Sequence, residues 1–118
     1  MQFLYAAAGG ALGAASRFLI SKLPLTGQGL PLPTFLANLI GCFLMGLIAA
    51  KAEARGMDPG MQIFLKTGFC GGLTTFSAFS AETVAMMEKG HIAAALLYVT
   101  ATVVLGFIAL YTGGQLVK

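Results

Sequence analysis

A chain of 118 residues that is 58% hydrophobic and only 9% charged has too little polar surface to face water, since a soluble domain carries roughly 25% charged residues. It reads as a membrane protein, and because one crossing of a bilayer core takes about 20 helical residues, four crossings with short connections leave no room for a separate soluble domain. The formal charge of +3, from seven Lys and Arg against four Asp and Glu, is the modest excess that loops and helix ends of membrane proteins carry, and it points to no nucleic-acid partner.

The N-terminus, Met1-Gln2-Phe3-Leu4-Tyr5, lacks the basic n-region of a secretory signal, and its apolar stretch outlasts a typical h-region. It is expected to be a retained helix over residues 3–20, with Gly9 and Gly13 at the spacing that lets helices approach closely. Pro24, Gly27, Gly29, Pro31 and Pro33 remove backbone donors and favour turns, so the chain should leave helix there. A second helix is predicted over 34–50, and the polar run from Lys51 to Gly60 makes a connection outside the membrane. The third apolar stretch covers 61–87. Paired glycines and a run of hydroxyls, from Gly71 to Ser80, weaken its centre, and a break is expected at 70–75. After a turn at Glu88 to His91, a fourth helix is predicted over 92–116. The expected fold is therefore all-α, one domain of four transmembrane helices with the third broken at mid-membrane.

Orientation is nearly undetermined by charge. Lys51, Arg55, Lys66 and Lys118 fall on one side of a four-span chain, and Arg17, Lys22 and Lys89 on the other. The positive-inside rule then barely chooses. A chain that inserts both ways can pair with an inverted copy of itself, giving the inverted repeat that larger transporters build within one polypeptide.

In hydrocarbon each unsatisfied backbone group costs several kcal/mol, so a broken helix survives only where it is buried in protein or lines a wet cavity. The break at 70–75 is thus a candidate ion site, where exposed carbonyls face a cation and freed amides and hydroxyls face an anion. Gly71 and Gly72 suit a close approach by an ion, and equally by a partner helix. Phe76 and Phe79 share a face of the following helix, as do Ser77 and Ser80, with Thr74 and Thr75 just before them. Phenylalanine rings have a positive edge that can stabilise a small anion without a fixed cation; ordinary aromatic packing is the alternative. Asn38, the only asparagine, reads as pore lining or as interhelical glue. Tyr98, Thr100 and Thr102 offer a hydroxyl track on the fourth helix, although threonine often bonds its own preceding carbonyl. Arg17 and Lys66 sit near helix ends where anchoring at the interface is the default. Glu82 is the one carboxylate inside an apolar run, available to a basic partner or to cap a local break. Cys42 and Cys70 lie beside glycines in apolar runs and read as small hydrophobes, and His91 stands alone in a connection.

Asn38-Leu39-Ile40-Gly41, and the run from Gly68 through Gly71-Gly72-Leu73-Thr74-Thr75-Phe76-Ser77-Ala78-Phe79 to Glu82, resemble the Fluc/CrcB family of fluoride channels. The Gly-Gly-x-x-Gly-Ala-x-x-Arg pattern appears over Gly9 to Arg17, and length and helix layout agree. The resemblance implies an antiparallel, dual-topology homodimer in a bacterial inner membrane, with two narrow fluoride pores. It implies a structural sodium ion at the dimer centre, held by the carbonyls of Gly71 and Thr74. It assigns Phe76 and Phe79 as pore phenylalanines, Asn38 as the pore asparagine, Arg17 as the vestibule arginine, and Tyr98 and Thr102 as the fourth-helix polar track, with Ser77 and Thr75 also facing the ion. The next hydroxyl position of that track is Gly106 here, a departure from the pattern. Fluoride, the bilayer and a second copy are the implied partners, and passive export of cytoplasmic fluoride the implied function.

Two rivals come from other classes. A small multidrug cation/proton antiporter has this size and layout, but it needs a carboxylate in its first helix, and residues 3–20 contain none. A non-conducting accessory subunit leaves the glycine, hydroxyl and phenylalanine cluster without a task. One His, two Cys and four acids assemble no catalytic set, so an enzyme is not expected.

Overall fold

The computed structural model describes residues 1–25 and 29–118. Every element among them is helical: α1 (Gln2–Ser21), α2 (Leu32–Arg55), the short α3 (Pro59–Gln62), a π-helical segment (Ile63–Cys70), α4 (Gly71–Leu73), α5 (Phe76–Glu88) and α6 (Ile92–Gln115). They form four helical stretches, with the third made of α3, the π-helical segment, α4 and α5. Three helices, α1, α2 and α6, are long and apolar enough to cross a membrane. Large apolar side chains cover their outer faces, with Phe3 90% and Phe107 74% exposed, as expected where lipid rather than water is the solvent.

Helix α2 begins earlier and ends later than the predicted 34–50. Pro33 stands in its first turn, where a missing N–H has no intrahelical acceptor to lose. At the other end Lys51, Ala52, Glu53, Ala54 and Arg55 are good helix formers, so the polar run prolongs the helix instead of leaving it. Gly56 stops it at φ 76°, a conformation that favours glycine. Pro24, Gly29 and Pro31 lie outside the helices as expected, Pro33 is within α2, and Gly27 falls outside the described residues.

Glycines set the packing. A Cβ at Gly13 would overlap the Phe69 carbonyl and come 2.8 Å from the Leu73 nitrogen, and one at Gly68 would come 2.8 Å from the Gly9 Cα. Helix α1 therefore lies backbone to backbone, and parallel, against the π-helical segment and α4. On the other side of the molecule, a Cβ at Gly46 would overlap the Leu110 carbonyl and one at Gly113 the Phe43 carbonyl. The parallel pair α2 and α6 is locked in this way. Because Gly113 is a packing residue, Gly113 and Gly114 stay inside α6.

Candidate ion site

The site grows from two residues that leave helical geometry. Thr74 (φ −85°, ψ 152°) and Thr75 (φ −147°, ψ 122°) are extended between α4 and α5. Gly71 and Gly72, placed in the expected break, are helical. For Gly72 the reason lies in α1: a Cβ there would meet the Gly10 carbonyl at 2.6 Å, so Gly72 is used for helix contact, whereas a Cβ at Gly71 would find only the Lys66 carbonyl of its own helical stretch, at 3.7 Å. The glycine pair thus divides, with Gly72 in packing and Gly71 exposed.

An interruption strands donors and acceptors, and their new partners can be followed one by one. The Thr75 N–H, which in a continuous helix would reach the Gly71 carbonyl, instead donates to Asn38 Oδ1 at 2.7 Å. Asn38 Nδ2 donates in return to the Thr75 carbonyl at 3.3 Å. Since the Thr75 N–H can face only an acceptor, the orientation of the Asn38 amide is set by its partner. Of the two readings of Asn38, these bonds are those of interhelical glue, and its second amide hydrogen remains for another acceptor.

The Ala78 N–H, whose helical acceptor would be the Thr74 carbonyl, donates at 3.1 Å to Thr75 Oγ1, the cap of α5. Gly72 presents its carbonyl to Arg17 Nε at 3.2 Å, so Arg17 reaches inward to the interruption instead of out to the interface. The consequence is specific: the carbonyls of Gly71 and Thr74 both lose their helical donors to side chains. Unsatisfied carbonyl oxygens are hard ligands of the kind that replace an alkali cation's hydration shell, so the two positions named for sodium fit a cation in chemical type. The Thr74 hydroxyl turns away, donating to the Cys70 carbonyl at 2.9 Å.

On α5 the rings of Phe76 and Phe79 lie 5.9 Å apart at 50°, and Phe79 lies 5.1 Å from Tyr98 at 54°. The three rings form one aromatic row that runs from an outer ring inward, because Phe76 is 79% exposed and Tyr98 only 3%. Ser77, also exposed, has its Oγ 3.2 Å from Thr75 Oγ1. The Thr102 hydroxyl is buried with no hydrogen-bond partner among the described residues. It does not make the backward bond to its own helix that Thr74 and Thr83 make. Thr100 is exposed and Lys66 is half-buried within the π-helical segment.

Glu82 is a member of the site that residue type alone left open. Its two carboxylate oxygens accept from Thr34 Oγ1 at 2.8 Å and from the Tyr98 hydroxyl at 3.0 Å, joining α2, α5 and α6. The signal available was its isolation in an apolar stretch; the partners, 48 and 16 residues away, were not visible in the chain order. Cys42 and Cys70 are free thiols, with Cys70 fully buried.

The comparisons with known proteins decide the family. Residues 4–114 match the family model described as CrcB-like protein, Camphor Resistance (CrcB). The chain belongs to the CrcB family. A CrcB relative in Methylobacillus flagellatus, named fluoride-specific ion channel FluC, is 40% identical over 99% of this chain and 94% of its own length. Relatives of the same name in Caulobacter sp. (strain K31) and Chlorobium phaeobacteroides (strain DSM 266) are 45% and 43% identical, over 95% and 94% of this chain and 91% and 88% of their own lengths. Membership together with three apolar spanning helices makes the chain a multi-pass membrane protein.

Proposed function

We propose that the chain is a fluoride-specific ion channel and not an enzyme or an antiporter. The observation that carries this reading is its likeness, over nearly its whole length, to relatives bearing that name. The antiporter reading has no carboxylate in α1 to work with. Fluoride enters cells as neutral HF from acid surroundings and dissociates inside, and a negative membrane potential drives the anion out through a passive pathway. In this reading Phe76 and Phe79 offer ring edges to the ion, while Ser77, Thr75, Thr102 and the second amide hydrogen of Asn38 supply donors, and Tyr98, whose one hydroxyl hydrogen goes to Glu82, lines the path with its ring. The buried, unpartnered Thr102 hydroxyl supports a polar track on α6, since an orphaned group of that kind costs about 1–3 kcal/mol unless something else bonds it. Arg17 holds a positive charge beside the interruption at Gly72.

The third helical stretch crosses the bacterial inner membrane as one broken helix, with the interruption at Thr74 and Thr75 near the midplane. Two copies pair antiparallel and enclose two pores. Exposed Gly71, Phe76 and Ser77 at the level of the interruption support a partner that covers them, because a bare backbone carbonyl facing lipid costs several kcal/mol. The Gly71 and Thr74 carbonyls of each copy would hold a sodium ion at the centre of the pair, which would supply positive charge and rigidity there.

Passive efflux from liposomes tests the reading. Vesicles holding the purified protein, loaded with fluoride or chloride and triggered with a potassium ionophore, are expected to release fluoride and retain chloride. Phe76→Leu and Phe79→Leu should each lower the fluoride rate at least about tenfold, the equivalent of about 1.4 kcal/mol, with the dimer still formed. Undiminished flux in both variants removes the ring-edge mechanism, and release of neither ion from the folded parent removes the channel.

A further inference from the structure

Where α2 and α6 end, Leu47, Lys51, Arg55, Leu116 and Val117 line a cavity of about 240 Å³. We propose that it binds the phosphate of an anionic phospholipid, with one acyl chain lying against Leu47, Leu116 and Val117. Leu47, Lys51 and Arg55 follow one another at four-residue spacing, so they share a face of α2 and rise about 6 Å per step. Apolar wall, ammonium and guanidinium thus stack in the order in which a lipid presents chain and phosphate to the membrane surface. The planar guanidinium matches two phosphate oxygens, and the ammonium adds a point charge.

The charge balance supports an anion. Neither Lys51 nor Arg55 forms an ion pair among the described residues, and Glu53, two residues from each, is turned about 200° around the helix from both. The carboxyl ends of α2 and α6 oppose the site with about half a negative charge each. That field is partly quenched, because Gly56, Leu116 and Val117 donate their N–H groups to the carbonyls of Ala52, Thr112 and Gly114. Two full positive charges outweigh the remainder. At the opposite end of the molecule the lysines have company within the chain: Lys22 lies over the Phe18 ring at 4.9 Å, and Lys89 shares a cavity with Glu82. The apolar wall is what selects a lipid over a free phosphate ion, which gains nothing from it. In the antiparallel pair proposed above, one such site opens to each leaflet.

Native mass spectrometry of the full chain, released from detergent holding equal amounts of phosphatidylglycerol and phosphatidylcholine with matched acyl chains, tests this. Retained phosphatidylglycerol is expected on the parent protein, falling at least about tenfold in Lys51→Gln/Arg55→Gln, which removes both charge-assisted contacts. Lys22→Gln/Lys89→Gln should retain it as the parent does. Intact fluoride flux in both double variants shows that they fold. Four results overturn the proposal: equal retention of the two lipids, equal loss in both double variants, displacement of the lipid by an equal concentration of inorganic phosphate, or adducts on the monomer that are absent from a dimer, which would mean that a second copy covers the groove.

Discussion

Asn38 shows how one side chain can stand in for a piece of helix. Its amide carries a donor and an acceptor like a peptide group, and both are used on the backbone of Thr75. Asn38→Leu leaves a buried N–H and a carbonyl unpaired, so a loss of about 2–4 kcal/mol is expected in denaturant unfolding of the detergent-solubilised protein. Asn38→Asp, which keeps the acceptor, should lose less. Glu82 works at the same scale: Thr34 and Tyr98 both donate to it, and a carboxylate accepts from two hydroxyls without competition. In Glu82→Gln the amide nitrogen can only donate, so one hydroxyl must turn away. A loss of about 1–2 kcal/mol is expected, measured by the same unfolding, and Tyr98→Phe should cost much less when combined with Glu82→Gln than in the parent. Additive losses would show that the pair is not coupled. The type of each residue was legible in the sequence, but their assignments were not. Asn38 and Thr75 are 37 positions apart, and an asparagine that lines a pore looks the same in sequence as one that splints a helix.

At the scale of elements, glycine separates positions that the chain order leaves alike. Gly46 and Gly113 place α2 and α6 in backbone contact, while a Cβ at Gly106 would meet only Cys42 Sγ, at 3.6 Å. Gly113→Ala is therefore expected to force the helices apart and to yield aggregated or poorly folded protein in size-exclusion chromatography. Gly106→Ala should behave as the parent, with a stability change within about 0.5 kcal/mol. The predicted lengths of α1 and α6 agree with those observed because both follow from uninterrupted apolar stretches. The third stretch was less legible. Its eight-residue π-helical segment has no signature in composition, since i→i+5 bonding is a local adjustment to packing, here against glycines of α1. The extended residues also proved to be the threonines and not the glycines. A glycine pinned by a neighbouring helix stays helical, and a threonine whose amide has been taken by Asn38 does not.

For the whole molecule, seven basic residues divided four against three predict that the chain inserts in both orientations. A reporter fused to the C-terminus, in cells that also carry the unfused chain, should signal from both faces of the membrane. Signal from one face alone would exclude the antiparallel pair. The surface agrees with an incomplete unit: Phe76 at 79% exposure, beside an interruption whose carbonyls lack donors, is an arrangement that a single copy in lipid would not hold at low cost. Residue type and order by themselves determined that the chain lives in a membrane and how many times its apolar stretches recur, and they marked one glycine- and hydroxyl-rich run as a candidate site, because hydrophobicity and residue type are properties of each position alone. Only the tertiary structure decided which glycine packs and which stays open, that Asn38 is bound to Thr75, and that Glu82 ties three helices together. Those outcomes depend on which backbone group has lost its helical partner, and that depends on elements that meet in space from distant parts of the chain.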